Sequence, residues 1–288
     1  MIRLVDHELP GGIRLACRAA GDEPRRVILL HGFPEAAFVW DEVLLGLAPH
    51  IGGLAPNLRG YPGSSQPAEV SAYRPRHLVA DLVALIESTG GPLDLLVAHD
   101  WGGAIAWNLA AGRPDLLKQL LIINSPHPAA FLRELRDNPA QQAASAYMNR
   151  LCQPDAEDLL ARQDFARLLA MLGGDVWLTP ALRERYRETW RQGLTGPLNY
   201  YRASPLRPPT GPTDVLHSLA LSDEDFMVRV PTTVLWGEQD RALLPGLLHG
   251  LARWVPDLRI VRVPEASHWI VHEAPARVIA LIQQLLAA

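Results

Sequence analysis

Few stretches of the 288-residue chain leave as little conformational freedom as Leu95-Leu96-Val97-Ala98-His99-Asp100-Trp101-Gly102-Gly103-Ala104. Apolar residues run into a polar pair, two glycines follow, and a helical pattern then reaches Gly112 and Pro114. The pattern predicts a buried parallel strand, a very tight turn and a helix. Small residues at Ala98, Gly102 and Gly103 suit a turn that brings backbone against backbone. Asp100 stands at its apex, and aspartate tolerates strained backbone better than most residues. Two readings of it compete. An Asp before a helix commonly just caps it, whereas a carboxylate held at the end of a buried strand is placed to act on a ligand. The partners found along the rest of the chain favour the second.

Strand signals recur at residues 13–18, 26–30, 51–56, 93–98 and 120–123. Helical spacing lies between them at 38–47, 76–88 and 101–111. This alternation predicts an α/β fold, a mostly parallel sheet covered by helices on both faces. The rhythm breaks from about residue 126 to 221, where helical patterns at 129–136, 141–151, 156–172 and 181–193 have no core strand among them. It resumes with strands at 232–236 and 258–263 and helices at 245–254 and 270–286. Core 1–125, helical insertion 126–221 and core 222–288 is therefore the expected organisation.

A chain that is 48% hydrophobic can bury a core of that size. Its 27 basic and 31 acidic residues nearly cancel, which argues against a nucleic-acid partner. No segment reads as a signal peptide or a membrane span, and Cys17 and Cys152 lack metal or redox spacing, so a cytoplasmic protein is expected. Oligomeric state, monomer or homodimer, is open.

In open parallel sheets ligands bind where strands end in loops at the carboxyl edge. Asp100 follows one expected strand, His31-Gly32-Phe33-Pro34 another, Asp240 the strand at 232–236, and His268 the strand at 258–263. Chain order is thus Asp100, Asp240, His268. These motifs resemble the α/β-hydrolase family and, within it, the epoxide hydrolases. The elbow Ala98-His99-Asp100-Trp101-Gly102-Gly103 is similar to the family's Gly-x-Ser-x-Gly turn with Asp in place of Ser. His31-Gly32-Phe33-Pro34 resembles the His-Gly-x-Pro oxyanion loop. Arg59-Gly60-Tyr61-Pro62-Gly63-Ser64 resembles the Arg-Gly-Tyr-Gly-x-Ser loop, interrupted by Pro62. The insertion matches the family's helical cap, whose two epoxide-binding tyrosines correspond to Tyr147 and to Tyr201 in Leu198-Asn199-Tyr200-Tyr201-Arg202, although adjacent Tyr200 competes for the second place.

The resemblance implies Asp100 as nucleophile, His268 as base oriented by Asp240, and oxyanion donors at the Phe33 and Trp101 amides. Tyr147 and Tyr201 would activate the epoxide oxygen. Phe33, Pro34, Trp101, Met148, Leu151, Trp177 and Trp269 would contact an apolar epoxide, with no cofactor or metal. Physical chemistry agrees: a carboxylate at a helix N-terminus stays ionised, can form a covalent ester, and leaves an alkoxide that a phenol can hydrogen-bond. Other histidines read blandly. His31 and His99 brace loops, His127 marks entry to the insertion, and His272 pairs with His268 in sequence but without a third metal ligand.

Three alternatives share these features. Haloalkane dehalogenases use the same Asp and Trp but often place Asn where Phe33 stands, leaving Trp177 or Trp190 to hold halide. Fluoroacetate dehalogenases carry Arg at the position of Trp101. A non-catalytic ligand-binding member of the fold is the third.

Overall fold

The computed structural model describes residues 1–21, 25–48, 50–173 and 176–287. Strands β1 (Arg3–Leu9), β2 (Ile13–Ala20), β3 (Arg25–Leu30), β4 (Gly52–Pro56), β5 (Leu95–His99), β6 (Leu120–Ile123), β7 (Thr232–Gly237) and β8 (Leu258–Val263) form one sheet. Its order is β1-β2-β4-β3-β5-β6-β7-β8, parallel from β4 to β8 and antiparallel at β1–β2 and β2–β4. Every residue of β4, β5, β6 and β7 is buried, as strands covered on both faces require. The covering helices pack in pairs, α1 (Asp41–Leu47) with α12 (Pro275–Ala287) and α2 (Pro75–Ser88) with α3 (Trp101–Gly112).

The strand order reverses direction around β3: the chain passes from β3 to β4 on one side, then returns to β5 on the other. At such a reversal the loops leaving neighbouring strands diverge and open a crevice. Here those loops are His31-Gly32-Phe33-Pro34 after β3 and Asp100 after β5.

Between β6 and β7 run α4 (Pro128–Asp137), α5 (Pro139–Ala144), α6 (Tyr147–Leu151), α7 (Ala156–Leu172), α8 (Pro180–Trp190), α9 (Thr195–Ala203) and α10 (Val215–Ser218), with no strand among the described residues. Several of these helices are fastened to the core, α8 and α9 among them. From α8, the Trp190 indole donates to the Pro34 carbonyl at 2.7 Å and Arg185 pairs with Asp41 at 2.9 Å. From α9, Tyr200 Oη donates to the Arg59 carbonyl at 2.8 Å. Gly196 meets Gly60 so closely that a Cβ on it would fall 2.2 Å from the Gly60 carbonyl oxygen.

Several expected elements differ. β1 and α9 carried no sequence signal, and residues 141–151 form two helices separated at Ser145-Ala146. Residues 245–254 form two 3-10 turns, Pro245–Leu248 and Leu251–Arg253, because Gly250 takes a left-handed conformation between them. Residues 270–286 break into α11 (Ile270–Glu273) and α12, since Pro275 cannot donate the hydrogen bond that would continue α11.

Candidate active site

Asp100 takes φ 50° and ψ −122°, a left-handed-side backbone that an L-residue rarely adopts. Its side chain makes no capping hydrogen bond to α3. The capping reading therefore fails, and the carboxylate turns outward. Oδ1 accepts the Phe33 amide at 2.7 Å. A Cβ at Gly32 would lie 2.1 Å from that same oxygen, so only glycine lets the loop after β3 approach. Gly102 has the same necessity, with the His31 carbonyl oxygen 2.6 Å from where its Cβ would be. Ser125 Oγ donates to the Asp100 carbonyl at 2.7 Å and holds the turn from the end of β6.

His268 and Asp240 converge on this carboxylate from β8 and β7. His268 Nδ1 lies 2.6 Å from Asp240 Oδ2, and its Nε2 lies 3.7 Å from Asp100 Oδ2. Burial lowers the proton affinity of His268, but the Asp240 carboxylate and then Asp100 outweigh it and push the imidazole up to about 9. Burial works to raise Asp240, yet His268 and the amides holding it keep it below the ordinary carboxylate range. Those donors are the Ala242 and Leu243 amides at 2.8 and 2.9 Å on Oδ1, and Asn124 Nδ2 at 2.8 Å on Oδ2.

Two cavities meet at Asp100. One, of about 200 Å³, is almost wholly apolar and is walled by Trp101, Phe131, Met148, Leu206, Leu221 and Phe226 among others. The second, of about 1060 Å³, is wider and more polar, with Phe33, Leu169, Arg183, Arg241, His268 and Trp269 on its walls. Asp100, Tyr147 and Tyr201 line both. The two phenols pack edge to face, 6.2 Å between ring centres, and Tyr201 also packs edge-on against Phe33 and Trp101. Burial is the main cause that holds both phenols well above their ordinary range. Tyr200, by contrast, spends its hydroxyl on Arg59 and lines neither cavity.

Pro34, Leu151 and Trp177 also lie off both cavities. Pro34 accepts the Trp190 indole, Leu151 is buried at the end of α6, and Trp177 stacks flat on His272 at 4.3 Å.

Known proteins are similar to this chain in sequence and in fold. The profile of the alpha/beta hydrolase fold family matches residues 25–275. The chain belongs to the α/β-hydrolase family, on its epoxide hydrolase branch. The AB hydrolase superfamily protein YfhM of Bacillus subtilis (strain 168) is 35% identical over 283 residues, spanning 96% of this chain and 95% of that protein. Epoxide hydrolase 3 of Xenopus tropicalis is 32% identical over 288 residues, 96% of this chain and 75% of that protein. A crystal structure of a Bacillus megaterium epoxide hydrolase in complex with an inhibitor superposes with a TM-score of 0.90 at 30% identity, over 99% of this chain and all 100% of that one.

Sequence reasoning missed some of this hydrolase's polar framework. Asn124, at φ 37° just after β6, bonds Asp240 and both the amide and the carbonyl of Gly237, tying β6 to the loop that presents Asp240. Its only signal was a polar residue ending an apolar run. Glu35 is buried among His99, His272 and Tyr186, though the sequence shows it as one more loop carboxylate. His31 is a brace: its Nε2 accepts the Leu58 amide, its Nδ1 donates to the Gly32 carbonyl, and burial brings it down to about 4. His7 meets Ser88 Oγ at 3.2 Å. No helix among the described residues is long and apolar enough to cross a membrane.

Proposed function

We propose that this hydrolase opens an apolar epoxide through a covalent ester on Asp100 and hydrolyses that ester to a vicinal diol. The observation that carries the reading is the placement of Asp100, Tyr147 and Tyr201 around the same two cavities. An epoxide that opens leaves an alkoxide, which needs hydrogen bonds or a proton. Phenols that burial keeps protonated supply both beside the attacking carboxylate. Residues 126–221, which carry both tyrosines, act as the cap.

The steps follow from the contacts. Asp100 Oδ2 attacks a ring carbon, the C–O bond of the ring breaks, and the alkoxide takes a proton from the phenols. Asp100 Oδ1 becomes the ester carbonyl oxygen and already accepts the Phe33 amide. His268 then removes a proton from water, which adds to the ester carbon, while Asp240 balances the imidazolium. The negative oxygen of the tetrahedral intermediate rests on the Phe33 and Trp101 amides, a donor of the kind worth roughly 3 to 4 kcal/mol elsewhere. Collapse breaks the bond to the substrate oxygen, which takes the proton back from His268 and leaves as the diol, and the proton left on the Asp100 carboxyl returns to the phenolate, restoring both groups.

Halide displacement by the same aspartate is the second reading, and neither Trp177 nor Trp190, which would give it a second halide donor, lines the cavities at Asp100. Trp190 Nε1 is bonded to Pro34, and Trp177 is stacked on His272 away from both cavities. Purified protein given styrene oxide, 1-chlorobutane and fluoroacetate should form diol and release little halide. Halide release faster than diol formation would put dehalogenation first, and no turnover of any would leave the binding-protein reading.

A further inference from the structure

The two cavities at Asp100 differ in charge. No arginine, lysine or histidine lies on the walls of the narrow apolar one among the described residues. The wide one carries Arg183, from α8, and Arg241, from the loop that leaves β7. Further along α8, Arg185 and Arg187 are ion-paired with Asp41 and Asp164. Arg183 and Arg241 meet no carboxylate among the described residues. Arg183 gives its Nε to the Leu178 carbonyl at 3.0 Å. Neither its terminal nitrogens nor the Arg241 guanidinium has a hydrogen-bond partner among the described residues.

The carboxylates on the same walls are already engaged. Asp240 takes His268, Asn124 and two amides. Glu273 takes the Ser267 amide at 2.7 Å and the Ser267 hydroxyl at 2.6 Å. Asp100 takes the Phe33 amide and faces His268. The charged donors left over for a ligand are therefore the two guanidiniums, whose planar forks fit a carboxylate. Glu273 and Asp100 share the cavity with them, and two carboxylates repel a doubly charged phosphate more than a singly charged acid. We infer that Arg183 and Arg241 form an anion site in the wide cavity, and that the epoxide this hydrolase opens carries a carboxylate on that side. The other ring substituent is compact and apolar, set against Phe131, Met148 and Phe226 in the narrow cavity. Tyr147 and Tyr201, which line both cavities, hold the ring between the two arms.

The substrate half rests on the proposed opening of epoxides at Asp100; the anion site does not. Two series of epoxides test the pair of claims. Each compound has a phenyl group on one ring carbon and an unbranched chain of varied length on the other. The chain ends in a carboxylate in one series and in a primary amide in the second. At the length that reaches the arginines, kcat/KM for the acid should exceed that for the amide by about tenfold or more, the worth of one hydrogen bond to a charged group. Arg183→Gln and Arg241→Gln should each lower that ratio, and the double variant should bring it near one. Equal use of acid and amide at every length would overturn the inference. An acid preference that survives in the double variant, or in both single variants should the double one not fold, would overturn it too and make the arginines solvated residues of the cavity mouth. Calorimetry with ω-phenylalkanoates and their amides, which have no ring to open, reads the anion site without turnover. The acid should bind the unaltered protein about tenfold more tightly than the amide, and the variants should lose that difference. Should no epoxide react while the acids keep their advantage, the reading of Asp100 fails and the anion site stands. Equal binding of acid and amide would remove the anion site whatever the turnover.

Discussion

Asp100 gives up helix capping for a left-handed-side conformation at φ 50°, and the neighbouring loop compensates by donating the Phe33 amide. A carboxylate so held has one oxygen anchored and the other directed at His268, which is the division of labour the proposed ester intermediate needs. In the proposed reaction the phenols share a second task. Tyr147 and Tyr201 adjoin one another and share the cavities with Asp100, so either partly covers for the other. Tyr147→Phe and Tyr201→Phe should each slow alkylation by an epoxide by about 1 to 3 kcal/mol, the cost of leaving a developing charge short of one partner. The double change should cost more than the two singles together, because the pair acts as a unit. Stopped-flow alkylation separates this from ester hydrolysis, which should stay nearly unchanged; wild-type alkylation in the double variant would make the tyrosines packing residues.

At the scale of elements, α9 matters because it carries Tyr201 inward while its neighbour Tyr200 pins the helix to Arg59. The Gly196–Gly60 approach is backbone on backbone and has no side chain to yield. Gly196→Ala should therefore destabilise by about 1 to 3 kcal/mol, as overpacking does, and lower activity by displacing Tyr201. Chemical denaturation with a parallel activity assay checks both; an unchanged midpoint would mean that α9 shifts freely. This helix was also the least legible. Its first turn, Thr195-Gly196-Pro197, reads as breaker residues, and its helical order comes from packing on the core. β1 was hidden for a different reason: it is an edge strand whose outward residues are mostly exposed, so Arg3, Asp6, His7 and Glu8 dilute its alternation. The buried strands β3, β5 and β6 were plain because four consecutive apolar residues have few other places to go.

For the whole molecule, the sheet reversal at β3 brings four distant segments to one point, and that point was readable because each candidate follows a strand. Asn124 and Glu35 were not, since a lone polar residue in a loop carries no spacing to interpret. The assembled charges also set a pH response. His268, ordinarily near 6.5 and pushed up to about 9, adds stability that is complete below 6.5 and lost as pH rises through about 9. Asp240, depressed, adds stability above the ordinary carboxylate value that is lost as pH falls through its lowered one. The difference in thermal midpoint between the wild type and His268→Gln should thus shrink as pH rises from about 6.5 to 9; a flat difference would contradict the raised imidazole. Esterification removes the Asp100 charge, one of the causes that raise His268. The acid limb of ester hydrolysis should accordingly lie below about pH 9. The central claim is that Asp100, not water, attacks the substrate first. Heavy-oxygen water in a single turnover, with enzyme in excess, tests it most directly. Mass spectrometry should find the label in the peptide that carries Asp100 and ordinary oxygen in the diol, and label in the diol on that first turnover would mean that water attacks the epoxide itself.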